Sequence, residues 1–140
     1  MRLVLLAVLL CAAPAWAGGC PGLSAHEPWI EQGPPVAAAL AGYVTLENQT
    51  GQPLRVDGVS AAGFASAEIH DMSMSGGMMR MRELDHLDVP AHGQVKLAPG
   101  GTHLMLINPS HPLKAGDTST LVLRCGAGSL EVPFAVKAAP

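Results

Sequence analysis

The stretch His103-Leu104-Met105-Leu106-Ile107 combines an apolar pattern with a metal-binding pattern. Side chains two positions apart on a β-strand lie on the same face. As a strand, this stretch would direct Leu104 and Leu106 into a core and present an imidazole and a thioether together on the opposite face. The alternation therefore predicts a half-buried strand that carries part of a binding site.

The remaining sequence consists of short runs that are rich in β-branched residues or alternate in polarity, and Gly, Pro, Asn and Asp residues separate them. This pattern is typical of a sandwich of short strands. A sustained 3.6-residue apolar repeat is absent apart from the short segment 36–41. We predict strands at residues 41–48, 54–60, 65–71, 78–83, 88–89, 94–97, 103–107, 118–124 and 130–136, with turns at 48–51, 75–77, 99–101, 108–109 and 126–128.

Methionine is concentrated in one part of the chain. Five methionines fall within the ten residues 72–81, and a further one follows His103 by two positions. A hydrophobic core has no reason to gather methionine beside Gly76-Gly77 while it uses leucine and valine elsewhere, whereas a metal site does. Met72, Met74 and Met78 are predicted to lie on a flexible turn, either as a docking or transfer surface or as an exposed loop without a role.

Four residues, His70, Met81, His103 and Met105, follow the spacing His-x10-Met-x21-His-x-Met. Two imidazoles and two thioethers form a soft ligand set that favours Cu(I). The Gly76-Gly77 turn would bring the strand that ends at His70 beside the strand that holds Met81, so three strand segments would converge. The predicted site binds one Cu(I), although each residue alone has an ordinary structural explanation.

The spacing and its setting, Glu68-Ile69-His70-Asp71-Met72 followed by Gly77-Met78-Met79-Arg80-Met81-Arg82, resemble the PCu(A)C family of bacterial periplasmic copper chaperones. The resemblance runs from about residue 28 to residue 136 and includes Gly42-Tyr43-Val44-Thr45-Leu46-Glu47-Asn48, which is similar to the family's early strand. It implies a cupredoxin-like Greek-key β-sandwich, and it implies that the four spaced residues are the copper ligands.

The resemblance also implies a function. Such a protein carries Cu(I) toward copper enzymes, in particular the dinuclear copper centre of cytochrome c oxidase. Some relatives have a His- and Met-rich C-terminal tail for a second copper, but this chain stops at Ala138-Ala139-Pro140, so one site is expected. The expected partner is a copper-accepting apo-protein, such as an oxidase subunit or another copper chaperone, and the expected state is a monomer.

The N-terminus predicts a secretory signal peptide over residues 1–17. Met1-Arg2 precedes an apolar run from Leu3 to Ala13, and Ala15-Trp16-Ala17 fits a cleavage site. Residues 18–140 would then form a single copper-binding β-sandwich domain in the periplasm, without membrane insertion.

Cleavage would remove Cys11 and leave Cys20 and Cys125. An isolated pair in an oxidising compartment tends to form a disulfide, which is the interpretation we favour. Two free thiols are the alternative, since the sequence does not show whether the Cα atoms approach. A third reading makes Cys20 a lipidated first residue, but the preceding Ala17-Gly18-Gly19 lacks the leucine that such a signal places three residues upstream.

Charge and missing motifs disfavour other function classes. The formal net charge is −3 and becomes −4 without Arg2, so nucleic acid and anionic membranes are not expected partners. A blue-copper electron carrier needs His and Met soon after its Cys ligand, and neither follows Cys125. The motifs Gly-x-Ser-x-Gly and His-Glu-x-x-His are absent, so an enzyme is not expected. A periplasmic copper buffer would use the same four ligands and stays open.

Other polar and aromatic candidates are weaker. Trp29 is predicted to be a packing residue rather than a ring that covers copper. Four histidines lack a partner at ligand spacing and are predicted to be solvated in loops: His26, His86, His92 and His111.

Overall fold

The computed structural model describes residues 19–140, and secondary structure in that range consists of eleven β-strands without a helix. The all-β prediction is confirmed. No helix in the described part has the length and apolar character needed to cross a membrane. The predicted signal peptide at residues 1–17 and Cys11 lie outside the described residues. The strands are β1 (Leu23–Glu31), β2 (Ala39–Asn48), β3 (Leu54–Val56), β4 (Gly58–Ala61), β5 (Phe64–Ser75), β6 (Met78–Leu84), β7 (Leu87–Val89), β8 (Gln94–Lys96), β9 (His103–Pro109), β10 (Thr118–Cys125) and β11 (Gly128–Lys137).

The strands form a cupredoxin-like Greek-key β-sandwich, as the sequence predicts. Hydrogen bonds join them in the order β4-β10-β11-β1-β2-β9-β5-β6, and a separate pair is formed by β3 and β7. The first and last strands, β1 and β11, run parallel, whereas the other pairs are antiparallel. Strand β2 pairs with β9 through residues 39–42 and with β8 through residues 45–47, and β8 and β9 both belong to the larger sheet. This order places β9, β5 and β6 side by side.

The core is built from the inward faces of these strands. Leu104 and Leu106 of β9 are 2% and 0% exposed, in agreement with the predicted alternation of that strand. Burial of apolar surface is the main stabilising term in such a core, at about 25 cal/mol per Å². The other fully buried side chains include Ile30, Val44, Leu46, Leu121, Leu123 and Phe134. The strands that carry the candidate site therefore rest on a packed apolar layer.

A disulfide joins Cys20 to Cys125, with the Cα atoms 5.9 Å apart. It ties the segment before β1 to the end of β10, which confirms the favoured interpretation of this pair. The alternative of free thiols is wrong in this structure. The lipidated alternative also conflicts with it, because a sulfur held in a disulfide is not available for a lipid thioether.

Several elements differ from the sequence-based prediction. Strand β1 was not predicted, because a register shift between His26 and Trp29 interrupts its alternation and includes Glu27 at a φ of 51°. His26 therefore lies in a strand opposite Thr45, not in a loop. The predicted strand 54–60 is divided into β3 and β4, since the backbone N–H of Asp57 bonds to Arg124 instead. The predicted turn at residues 108–109 is the end of β9.

The methionine-rich segment is the most important correction. Met72 and Met74 lie in β5 and Met78 lies in β6, so these residues belong to a regular hairpin rather than to a flexible turn. The turn itself is limited to Gly76-Gly77, both at positive φ, as a tight strand connection requires. The prediction failed because serine and methionine alternate here without a buried face to indicate a strand.

Candidate metal centre

The two histidines of the predicted site face each other across neighbouring strands. His103, the first residue of β9, is the cross-strand partner of His70 in β5. Their ring centroids lie 5.8 Å apart. Directly opposed residues in an antiparallel pair project from the same face. The strand pairing therefore brings together two imidazoles that are 33 positions apart in the sequence.

His103 is held in one orientation. Its ring nitrogen Nδ1 lies 2.9 Å from the backbone oxygen of Gly101, and the side chain is 5% exposed. Because a carbonyl oxygen can only accept, Nδ1 carries the proton and donates it to Gly101. The other nitrogen, Nε2, is then the lone-pair nitrogen. A hydrogen bond from one ring nitrogen is the usual way in which a protein selects the nitrogen that binds metal.

His70 has the opposite arrangement. Its Nε2 lies 2.7 Å from Oε2 of Glu68, so Nε2–H donates to the carboxylate. Nδ1 is buried and has no hydrogen-bond partner, and it is the sole such side-chain nitrogen or oxygen found in residues 19–140. A buried polar atom without a partner is costly. A metal ion bonded to Nδ1 would satisfy it, so this orphaned atom fits the predicted ligand role of His70.

The two thioethers differ in their surroundings. Met105 is half-buried in β9, opposite Glu68 and on the same face as His103. Met81 lies in β6 opposite Met72, one same-face position beyond the His70–Glu83 pair, and is 52% exposed. All four predicted ligands thus project from one face of three adjacent strands. His70, His103 and Met105 occupy adjoining positions on β5 and β9, and Met81 lies at the exposed side of this group.

Aromatic rings continue this face away from the methionines. Tyr43 in β2 lies 6.5 Å from the ring of His103, and Trp29 in β1 packs against Tyr43 with centroids 4.7 Å apart. Burial, together with the nearby Glu31 carboxylate that accepts a 3.2 Å hydrogen bond from the tyrosine, raises the pKa of Tyr43 to about 12. The ring of Tyr43 lies between Trp29 and His103, and the contact of Trp29 with Tyr43 agrees with its predicted packing role.

The ligand chemistry of the site depends on sulfur. Within residues 19–140, no three His, Cys, Asp or Glu side chains gather into a group able to hold a metal. Groups rich in carboxylate oxygen are what hard divalent ions prefer. Two imidazoles supplemented by thioethers remain suitable for a soft ion. The other histidines lie elsewhere; His26, for example, is exposed and pairs with Glu47 at 2.9 Å.

Glu68 is the residue of the site that the sequence analysis missed as a participant. Its position two residues before His70 was the available signal, since it places the carboxylate on the same strand face. The hydrogen bond to His70 depends on side-chain conformations that a strand pattern does not fix. Thr102, the residue before His103, also contributes. Its hydroxyl donates a 2.9 Å hydrogen bond to Asp71 and so joins the start of β9 to β5.

Residues 23–136 match the family described as "Putative lipoprotein LpqE-like". A curated relative, "Putative lipoprotein Lxx21020" from Leifsonia xyli subsp. xyli (strain CTCB07), is 29% identical over 116 residues, which cover 82% of this chain and 68% of that protein.

Two solved structures are also similar. The Cu(I) form of DR1885 from Deinococcus radiodurans is 32% identical, with a TM-score of 0.65, over 89% of this chain and 83% of that one. The copper-bound PCuAC domain from PmoF2 has a TM-score of 0.73 at 24% identity, over 87% of this chain and 97% of that one. The likeness to the PmoF2 domain shows the fold. The likeness to DR1885, at the higher identity, also shows that the two chains belong to one family.

Proposed function

This chain belongs to the LpqE-like family, and we propose that it is a Cu(I)-binding metallochaperone. The observation that carries the proposal is the cross-strand histidine pair, in which the hydrogen bonds made by Nε2 of His70 and Nδ1 of His103 leave one lone-pair nitrogen on each ring. The proposed ligands are Nδ1 of His70, Nε2 of His103 and the sulfurs of Met81 and Met105. The related DR1885, solved as a Cu(I) form, supports this ion.

The proposed location is the periplasm, after removal of the signal peptide. The lipoprotein descriptions of the family and of the Leifsonia relative support an exported protein of the cell envelope. In this chain the cysteine that an anchor would need is Cys20, which pairs with Cys125. We therefore propose an exported protein without a lipid at Cys20.

Delivery, rather than storage, is favoured by the exposure of one ligand. Met81 is half in solvent, while His103 is almost fully buried. A partner's sulfur can replace the thioether of Met81 before the copper leaves the two imidazoles. Copper then moves by exchange of one ligand at a time, without a fully dissociated ion. A buffer protein has no need of such an open ligand.

The proposed acceptor is a copper-dependent enzyme, in particular the dinuclear copper centre of cytochrome c oxidase. Support for this acceptor comes from the sequence resemblance to PCu(A)C chaperones. The soft ligands and the exposed sulfur suit transfer to a thiolate-containing site, because thiolates bind Cu(I) more strongly than thioethers do.

The test is a measurement of transfer kinetics under anaerobic conditions. Cu(I)-loaded protein is mixed with increasing concentrations of an apo copper domain from a terminal oxidase, and metal arrival is followed in the acceptor. We expect a rate that rises with acceptor concentration, because a handover complex must form. A rate that stays at the spontaneous dissociation rate would favour a storage protein. A Met81→Leu variant should transfer copper faster at each acceptor concentration, because the position that the partner's sulfur takes is then open, whereas Met78→Leu should match the parent rate.

A further inference from the structure

The hairpin formed by β5 and β6 extends beyond the rest of the sheet. The pairing of β5 with β9 ends at His70 and His103, while its pairing with β6 continues to Ser75 and Met78. The outer part is therefore a free two-stranded ribbon, closed by Gly76-Gly77. Both of its faces are open to solvent, since residues 73–83 are all exposed.

Four methionines of this ribbon share one face. The strand register pairs Met72 with Met81 and Met74 with Met79. Because side chains alternate along each strand, these two pairs project from the same face as His70. The opposite face carries different chemistry, namely Ser73 with Arg80 and Ser75 with Met78. The thioethers thus form a continuous strip that begins at the candidate metal centre and ends at the tip of the hairpin.

Packing does not explain this strip. Met74, Met79 and Met81 are 65%, 50% and 52% exposed, so most of their apolar surface remains in water. Exposed apolar side chains on a free ribbon contribute little to folding stability. Their chemistry does offer an explanation, because thioether sulfur is a good ligand for Cu(I).

The geometry allows the sulfurs to converge. Directly opposed residues in an antiparallel pair have Cβ atoms about 4.5–5.5 Å apart, and neighbouring pairs on one face are about 7 Å away. Methionine has three rotatable side-chain bonds and adapts readily to irregular sites. Three thioethers from two adjacent pairs can therefore reach a common point without any change in the backbone.

We propose that Met72, Met74 and Met79 form a second Cu(I) site, the outer methionine site. It lies next to the candidate metal centre, which is called the four-ligand centre below. Met81 lies next to both, since it is a proposed ligand of the centre and the cross-strand partner of Met72. Copper passes between the sites as Cu(I), and one thioether replaces another without transfer of electrons or protons. The outer site binds more weakly, because it is exposed and lacks an imidazole. Its role as a relay rests on the proposed function, whereas its capacity to bind copper does not.

The first test uses protein labelled with [13C-methyl]methionine and titrated anaerobically with Cu(I). We expect the first equivalent to shift the methyl signals of Met81 and Met105, and a second, weaker equivalent to shift those of Met72, Met74 and Met79. A second equivalent that left the outer methionine signals in place would overturn the proposal. So would saturation at a single equivalent that shifts only Met81 and Met105.

Matched variants provide the second test. A Met74→Leu/Met79→Leu double variant keeps the size of the side chains and should reduce the stoichiometry from two to one. Met78→Leu is the control, since Met78 is 64% exposed but lies on the opposite face of the ribbon. It should keep both equivalents. A double-leucine variant that still bound two copper ions would also overturn the proposal.

A third variant separates this proposal from the proposed function. His103→Ala/Met105→Ala removes half of the four-ligand centre and leaves the ribbon intact. The outer methionine shifts should persist in it. If the first equivalent failed to shift Met81 and Met105 in the parent protein while Met74 and Met79 responded, the proposed function would fail and the outer site would stand. Loss of the Met74 and Met79 shifts in this variant would count against an independent outer site.

Discussion

Replacement of Glu68 by alanine should weaken copper binding although Glu68 is not a proposed ligand. The carboxylate accepts a 2.7 Å hydrogen bond from Nε2–H of His70 and so keeps the proton on that nitrogen. Nδ1 is left with its lone pair free and buried. Without Glu68, the imidazole can exchange its two protonation forms and rotate, and only part of the population presents Nδ1 to the metal.

The expected loss is 10- to 100-fold in Cu(I) affinity, about 1.4–2.7 kcal/mol, which is typical when the hydrogen-bond partner of a metal-bound histidine is removed. Glu68→Gln should lie near the lower end of that range, because the amide oxygen can still accept the hydrogen bond while the charge is lost. Glu83 provides the control. It is also opposite His70, in β6, but it is exposed and is not the carboxylate bonded to Nε2.

The assay is competition with a chromophoric Cu(I) chelator, combined with 15N spectra of the histidine rings in the apo protein. Wild-type protein should show His70 protonated at Nε2, and Glu68→Ala should show a mixture of the two forms. Glu83→Ala should change neither the affinity nor the spectrum. An alanine variant that bound Cu(I) as tightly as the parent would refute the reasoning, as would a wild-type His70 protonated at Nδ1.

Three further predictions concern the ligands and Tyr43. His103→Ala and Met105→Ala should each weaken the first Cu(I) equivalent far more than Met74→Ala does; chelator competition that ranks Met74 equal to Met105 would contradict the assignment. Affinity should fall from neutral pH to about pH 4, because protons compete for the imidazoles but not for thioethers; a flat profile would indicate a site made of methionine alone. The single tyrosine should titrate with a midpoint of about 12 by ultraviolet absorbance. Since burial and Glu31 raise its pKa from 10.0, its contribution to stability is present below pH 10 and is lost as the pH rises through 12, and a folded-state midpoint at 10 would contradict this.

The sequence predicted the regular part of the fold and failed where tertiary contacts override local pattern. The alternation at residues 103–107 is strong, so both the strand and its buried leucines were predicted correctly. Strand β1 has a bulge and a proline, and its position depends on pairing with β2 and β11. Such a strand has no local signal strong enough for prediction.

The same distinction applies to the candidate site. Ligand types and their spacing can be read from the chain, and the sequence predicted the face shared by His103 and Met105. The register that pairs His70 with His103 and Met72 with Met81 required the structure. So did the hydrogen bonds that select one nitrogen on each ring, because they involve a backbone carbonyl in one case and a side chain in the other.

The disulfide and the candidate site together suggest why sulfur is used here as thioether and not as thiolate. A bond between Cys20 and Cys125 implies surroundings that oxidise neighbouring thiols. A pair of thiolate ligands exposed on a hairpin would be consumed by the same reaction, and copper binding would be lost with it. Methionine and neutral histidine keep their lone pairs under these conditions. In the proposed carrier, the weaker thioether bonds would also allow the metal to leave, first from the exposed Met81 and last from the buried His103.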